Sequence, residues 1–309
     1  MTETFRPPAP GAAAILLRGL VDDAGLFPPT ALPMGRALAR HRADRTTAHP
    51  MLAGRFLCPV SRWAELCDSL GEADRIDVGL ILDTEQGLVD GSRVEDPRVR
   101  VTHYETRAPG IDVGKAARYL RTAAGPAPRQ RRGFFSRRAE RPDRTPAAGP
   151  PVYFEFDRGG EGRANIAGLA GAPGLGAKVR CGGADAELFP GPEELSEFIA
   201  ACAEHGVPFK ATAGLHHAVR HTDPTTGFTH FGYLNLLLAT AMAVTGDGPN
   251  RVRRALVVTD PDELVDRVGG LDEATAARTR ELFVGYGSCS TRDPVADAEG
   301  LGLLEGVLP

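Results

Sequence analysis

Residues 177–214 read AKVRCGGADAELFPGPEELSEFIAACAEHGVPFKATAG, and the alternation within them decides the fold. Ala177–Cys181 and Pro208–Ala213 are short apolar runs, each followed closely by glycine. Between them, Pro192–His205 opens with Pro and two Glu and places Leu195, Phe198, Ile199 and Cys202 on one face. It stops at Gly206. Those are the start and stop signals of an amphipathic helix. Strand, helix, strand in that order is the unit from which parallel sheets are built.

The same alternation extends in both directions. Further predicted strands are Gly19–Leu26, Arg55–Pro59, Val78–Asp83, Val99–Tyr104, Val152–Phe156, and either Ala255–Thr259 or Leu282–Gly287. Helices are predicted over Ser61–Leu70, where Ser61 is read as a cap followed by Glu65, over Gly110–Ala123, and over the nearly all-apolar Phe231–Val244. About eight strands in this pattern predict a (βα)8 barrel rather than an open doubly wound sheet. A barrel of about 250 residues plus insertions fits a chain of 309. No GxGxxG or GxxxxGK[ST] motif is present, which argues against a dinucleotide or phosphate-loop fold. The domain is expected to run over 11–309 after a disordered N-terminus, 1–10. One stretch interrupts it. Residues 125–150 hold seven Arg against one Glu and one Asp, and many Pro, with no period of either kind. They predict a flexible basic insertion.

Composition narrows the function. Net charge is −4, and about −9 without the insertion, so the folded part carries no nucleic-acid footprint. No apolar run reaches the 18 residues a membrane helix needs. Gly11–Leu20 is short, follows Arg6-Pro7-Pro8-Ala9-Pro10 and lacks a cleavage pattern, so no secretory signal is expected. The five cysteines, Cys58, Cys67, Cys181, Cys202 and Cys289, show no CxxC spacing. They fit reduced thiols in the cytoplasm. Homo-oligomerisation is left open.

Of 36 basic residues only three are lysines: Lys115, Lys178 and Lys210. Two of them lie on the paired strands of the opening stretch. An amine can lose its proton and attack a carbonyl, whereas a guanidinium stays protonated. Side chains alternate along a strand, so Lys178 shares a face with Arg180, and Lys210 with Thr212. Two amines inside one barrel are expected to lower each other's pKa, and burial adds to the effect.

The pair AKVRCGG and PFKATAG resembles strands six and seven of the deoxyribose-phosphate aldolase type of class I aldolase. The resemblance covers about 40 residues. It implies that Lys178 is the Schiff-base nucleophile and that Lys210 tunes it. The chain differs at Gly214-Leu215-His216-His217, where that family has more glycine before its phosphate site, so a sugar phosphate is not implied. Over most of its length the chain also resembles a family of uncharacterised bacterial conserved proteins. VDDAGLFPP at 21–29, PFKATAGLHH at 208–217, FGYLNLLLA at 231–239 and GSCS at 287–290 carry that likeness. It brings no activity with it.

Other candidates surround the lysines. Glu155 lies between Phe154 and Phe156, where an unpaired carboxylate is costly, and a lysine across the barrel would relieve that cost. His216 follows the Lys210 strand on the same alternation and suits general acid–base work. Arg180, Gly182, Gly183, Thr212, Gly214, Asp23, Ser288 and Ser290 are expected to line the substrate site. Cys181 and Cys289 lack an evident histidine partner in sequence. The leading expectation is a lyase or aldolase-like enzyme, without cofactor or metal, acting on a small carbonyl or acidic substrate. Two rivals stand beside it. One is a metal-assisted hydrolase or isomerase using His216, His230, Glu155 and Cys181. The other is a non-catalytic protein that binds a small acidic ligand.

Overall fold

A computed structural model describes residues 11–108, 149–157 and 162–304. Eight parallel strands close into a barrel: β1 (Val21–Asp23), β2 (Leu52–Pro59), β3 (Ile76–Leu82), β4 (Val99–Arg107), β5 (Val152–Glu155), β6 (Leu175–Arg180), β7 (Phe209–Thr212) and, after a long helical excursion, Phe283–Ser288. Each strand pairs with its neighbours in chain order, and Val21 beside both Leu52 and Tyr286 closes the ring. The chain is a (βα)8 barrel. The candidate strand over 255–259 is not one. Ala255 and Leu256 end the helix Pro249–Leu256, and Phe283–Ser288 completes the barrel.

The helix between β6 and β7 spans Pro192–His205, the bounds read from sequence. Proline begins it, Glu193 and Glu194 occupy its first turn, and Gly206 ends it with φ 61°. Leu195, Ile199 and Cys202 are fully buried beneath it. The helix expected over 61–70 covers Trp63–Ser69, and Ser61 does not cap it. Its hydroxyl and amide both donate to the Asp83 carboxylate instead, at 2.5 and 3.0 Å. Tyr233–Val244 forms the buried helix expected there. An antiparallel ribbon, β8 (His221–Thr222) with β9 (Thr229–His230), follows β7 and was not foreseen. The expected helix over 110–123, the N-terminal ten residues and nearly all of the basic insertion lie outside the described residues.

Inside the barrel, glycines give room to large polar side chains. A Cβ at Gly79 would fall 2.3 Å from the His103 ring, and one at Gly176 would fall 2.6 Å from the Tyr153 ring. One at Gly287 would fall 2.7 Å from Leu57. These glycines on β3, β6 and the last strand leave the interior free for histidine, tyrosine and the charged groups described next.

Candidate functional site

The barrel holds a row of alternating charges drawn from six strands. Arg55 on β2 donates to Asp22 on β1 at 2.5 Å. Asp22 also takes Lys210 of β7 at 2.5 Å. Lys210 reaches Glu105 of β4 at 2.8 Å, and the other oxygen of Glu105 takes Lys178 of β6, also at 2.8 Å. Lys178 continues to Glu155 of β5 at 3.2 Å, and Glu155 accepts from Arg180 Nε at 2.9 Å. Asp22, Glu105, Glu155, Lys178 and Lys210 are all buried. Register explains the order: Lys178 and Lys210 are direct neighbours across β6 and β7, and Glu155 sits beside Lys178.

The two lysines differ in how their hydrogens are used. Lys210 Nζ hydrogen-bonds Asp22 at 2.5 Å and His103 Nε2 at 2.6 Å, and forms an ion pair with Glu105 at 2.8 Å. His103 Nε2 also lies 3.1 Å from Glu105 Oε1; with Lys210 donating to Nε2 the ring is neutral and its Nδ1 donates to the Thr102 hydroxyl 3.0 Å away. Burial, followed by the charge of Lys210, pulls the His103 pKa down and favours the same state. Lys178 has two carboxylate partners and lies at the edge of a cavity of about 580 Å³, which Glu155, Arg107 and Arg180 also line.

The expected mutual depression of the lysines does not hold for Lys178. Burial alone would lower its pKa, but the attraction of Glu105 and Glu155 outweighs burial and raises it. Glu105 is the reason, because its carboxylate stands between the two ammonium groups. Burial would raise Glu105 itself, yet Lys178 and Lys210 hold it well below the ordinary carboxylate range. Asp22 and Glu155 are lowered in the same way, by Arg55 with Lys210 and by Lys178 with Arg180. Burial pushes the Tyr153 phenol up to about 12.

Sequence reasoning placed Lys178, Lys210, Glu155 and Arg180 together, and they are together. It chose Asp23 where Asp22 is the residue in the row. Asp23 turns the other way, to Arg40, to His41 at 3.3 Å and to the Gly25 amide at 2.9 Å, and so holds the following turn. Thr212 neighbours Arg180 across the strands, on the Lys210 alternation. Gly182 and Gly214 pack on each other. A Cβ at 182 would lie 2.9 Å from Gly214 Cα, and one at Gly214, whose φ is 70°, would lie 2.5 Å from the Cys181 carbonyl. Gly183 packs on Leu188. Ser290 accepts from the Asp293 amide at 3.3 Å, at the start of the last helix.

His216 belongs to a separate group. Its Nδ1 is 3.4 Å from Ser288 Oγ, and its ring nitrogens are 3.8 and 3.9 Å from Cys289 Sγ. The contact with Cys289 raises the His216 pKa against burial, and His216 in turn lowers Cys289 against burial. Thus Cys289 has the histidine partner that its sequence neighbourhood did not show.

The metal set His216, His230, Glu155 and Cys181 is not gathered. Glu155 holds Lys178 and Arg180, His216 holds Cys289, and His230 donates to the Gly214 carbonyl at 3.3 Å. Among the described residues, the group whose ligand atoms all lie within 4.8 Å of one another is Asp22, His103 and Glu105. Lys210 Nζ lies within 2.8 Å of all three, so an ammonium takes the position of a metal ion there. Sequence reasoning missed Glu105, His103, Arg55 and Tyr153, and of the pair Asp22-Asp23 it took the wrong member. The strand Val99–Arg107 reads VRVTHYETR, so polar residues on both of its faces gave no signal that His103 and Glu105 point inward.

No protein-family model matches the chain, and no curated protein does. Among the described residues, no helix is long and apolar enough to cross a membrane.

Proposed function

We propose that the protein is an enzyme of the lyase or aldolase type that acts on a small carbonyl compound through an imine on Lys178. A barrel of this architecture is compatible with an enzyme, since such barrels carry their sites at the carboxyl ends of the strands. The observation that carries the reading is the contrast between the lysines. Lys210 is surrounded by three close partners, Asp22, His103 and Glu105, whereas Lys178 borders a cavity with two carboxylates as its partners. The local resemblance to the deoxyribose-phosphate aldolase type supports the same choice of nucleophile.

At rest Lys178 is charged, so it must give up a proton before it attacks. Glu155, 3.2 Å away, is the acceptor we favour, because Arg180 steadies its other oxygen. The neutral amine then adds to the carbonyl carbon, and loss of water leaves a protonated imine. That cation draws electrons from the neighbouring carbon while a proton leaves it or a C–C bond breaks. Lys210 would hold Glu105, Asp22 and His103 in place as a positioning residue.

Intact-mass analysis after borohydride reduction, with glycolaldehyde and pyruvate in turn, tests the proposal. A substrate-dependent adduct mapping to Lys178 and absent from Lys178→Arg is expected. No adduct with either compound, or one that persists in the variant, would overturn it.

One observation favours a second reading, a protein that binds a small acidic ligand. Arg107, Arg163 and Arg180 line the same cavity as Lys178, and guanidinium groups, always charged, suit static anion binding. In that case Lys178→Arg would retain ligand affinity, and wild type would form no adduct.

A further inference from the structure

The cavity beside Lys178 has two chemically distinct walls. At its inner end, Glu155 holds two cations side by side. Its Oε2 takes Lys178 Nζ at 3.2 Å, and its Oε1 accepts from Arg180 Nε at 2.9 Å. Lys178 and Arg180 share one face of β6 by the alternation of a strand. Arg180 is 32% exposed and lines the cavity, so its guanidinium is open to a ligand. Glu155 occupies Nε, which leaves the two terminal nitrogens, Nη1 and Nη2. Among the described residues, neither of them carries a hydrogen bond. Arg107, at the end of β4, stands 3.8 Å from the same Glu155 oxygen and adds a third positive charge.

The other wall is apolar. Phe156, Ile166, Val179, Leu188 and Phe198 form it. Phe156 stacks on Phe154 at 6.4 Å, and Phe198 meets Phe209 edge-on at 5.4 Å, so both rings are held from the core side. Phe156, Val179 and Phe198 are still only partly buried, which leaves apolar surface facing the cavity. The remaining acidic groups of the lining, Asp157, Glu187, Glu194 and Glu197, are exposed at the rim, where water and salt screen them. A space of about 580 Å³ is also far more than a three-carbon compound fills.

The geometry points to a 2-oxo acid with an apolar chain as the substrate class of this site. The inference rests on the imine reading above and adds what the carbonyl compound must carry. The planar fork of a guanidinium matches a carboxylate with two parallel hydrogen bonds. In a 2-oxo acid the carboxylate is bonded to the carbonyl carbon itself. A carbonyl at Lys178 Nζ therefore sets the carboxylate beside Arg180, the cation that shares Glu155 with Lys178. The Lys178 nitrogen replaces the carbonyl oxygen, which leaves as water, and the carboxylate is unchanged. The chain on the far side of the carbonyl then lies along the apolar wall. An aldehyde of the same chain offers nothing to Arg180, and pyruvate offers little to Phe156 and Phe198.

The test uses the full chain and reads, by intact mass, the half-saturating concentration for borohydride trapping. The probes are 4-methyl-2-oxopentanoate, pyruvate and 3-methylbutanal, which keeps the branched chain and lacks the carboxylate. The branched oxo acid should half-saturate about tenfold or more below each of the others, since a buried methylene is worth about fourfold and a charged hydrogen bond about tenfold. Arg180→Gln should cut its advantage over the aldehyde by about tenfold. Arg180→Lys, which keeps the charge and loses the fork, should fall between. Thermal melts confirm that both variants are folded. Calorimetric titration with 2-hydroxy-4-methylpentanoate, which has no carbonyl to attack, separates this inference from the imine. Equal trapping of aldehyde and oxo acid, unmoved in Arg180→Gln, would overturn the carboxylate assignment and leave the imine standing. Pyruvate trapped as readily as the branched acid would overturn the apolar chain. No adduct from any probe, with the hydroxy acid bound by wild type and not by Arg180→Gln, would sink the imine and uphold the carboxylate site. Neither adduct nor hydroxy-acid binding would sink both.

Discussion

Lys178 and Lys210 stand directly opposite each other on neighbouring strands, and each takes a different oxygen of Glu105 at 2.8 Å. One carboxylate thus turns a repulsive pair into two attractive ones. Glu105→Gln removes the charge and leaves two buried ammonium groups facing one neutral amide. Breaking a buried pair of this kind costs about 3–5 kcal/mol. Urea denaturation at neutral pH should show a loss of that order. A change below about 1 kcal/mol would mean that the charges are not buried together.

The extent to which this was legible in the sequence follows from range. The opening stretch contains both strands, the intervening helix and both lysines. Periodicity and cap residues act over a few positions and are sufficient there, which is why Pro192–His205 came out with its observed ends. Glu105 is more than 70 residues from Lys178, and Asp22 is 188 from Lys210. What joins them is the closure of the barrel and its register, which no local pattern encodes. The choice of Asp23 over Asp22 has the same origin. A three-residue strand gives too little alternation to fix which side faces inward. His216 and Cys289, 73 residues apart, are brought together only by the turns that leave β7 and the last strand.

The charged row sets a pH dependence of stability. The pKa values of Asp22, Glu105 and Glu155 are lowered on folding. Their contribution is therefore complete above the unfolded carboxylate range near pH 4 and is lost as pH falls through the lower folded values. His103 is also lowered, so its protonation in the unfolded chain begins to cost stability below about pH 6.5. Lys178 is raised, so its contribution is complete below about pH 10.4 and fades as pH climbs through its folded value. Unfolding free energy across pH 3–11 should show a plateau between these limits. Glu105→Gln should flatten the acid limb. An unchanged acid limb in that variant would contradict the assignment.

Gly79→Ala probes how tightly the interior is filled. The added methyl would meet the His103 ring at 2.3 Å and Leu57 at 2.5 Å. His103 would have to move, and its contact with Lys210 Nζ would lengthen from 2.6 Å. Overpacking of this kind costs about 1–3 kcal/mol. The variant should melt earlier than wild type and form the borohydride adduct more slowly. Wild-type values for both would show that His103 has slack.

Cys289 should stand apart from the other thiols in its chemistry. Burial pushes Cys58 up to about 12 and Cys202 well above the ordinary thiol value. Cys67 is raised to about 11, first by burial and then by Asp96. Cys289 is lowered instead: burial pushes it up, but His216 and hydrogen bonds with Thr30 together outweigh burial. The thiolate is the reactive form, so rate follows its population. Cys289 is only 5% exposed, which limits the absolute rate but not the pH at which reaction sets in. Iodoacetamide labelling followed by peptide mapping should give a midpoint for Cys289 below the ordinary thiol value and below those of Cys58, Cys67 and Cys202. His216→Ala should move that midpoint upward. A midpoint at or above the ordinary value in wild type, or one unmoved in His216→Ala, would show that the imidazole does not stabilise the thiolate.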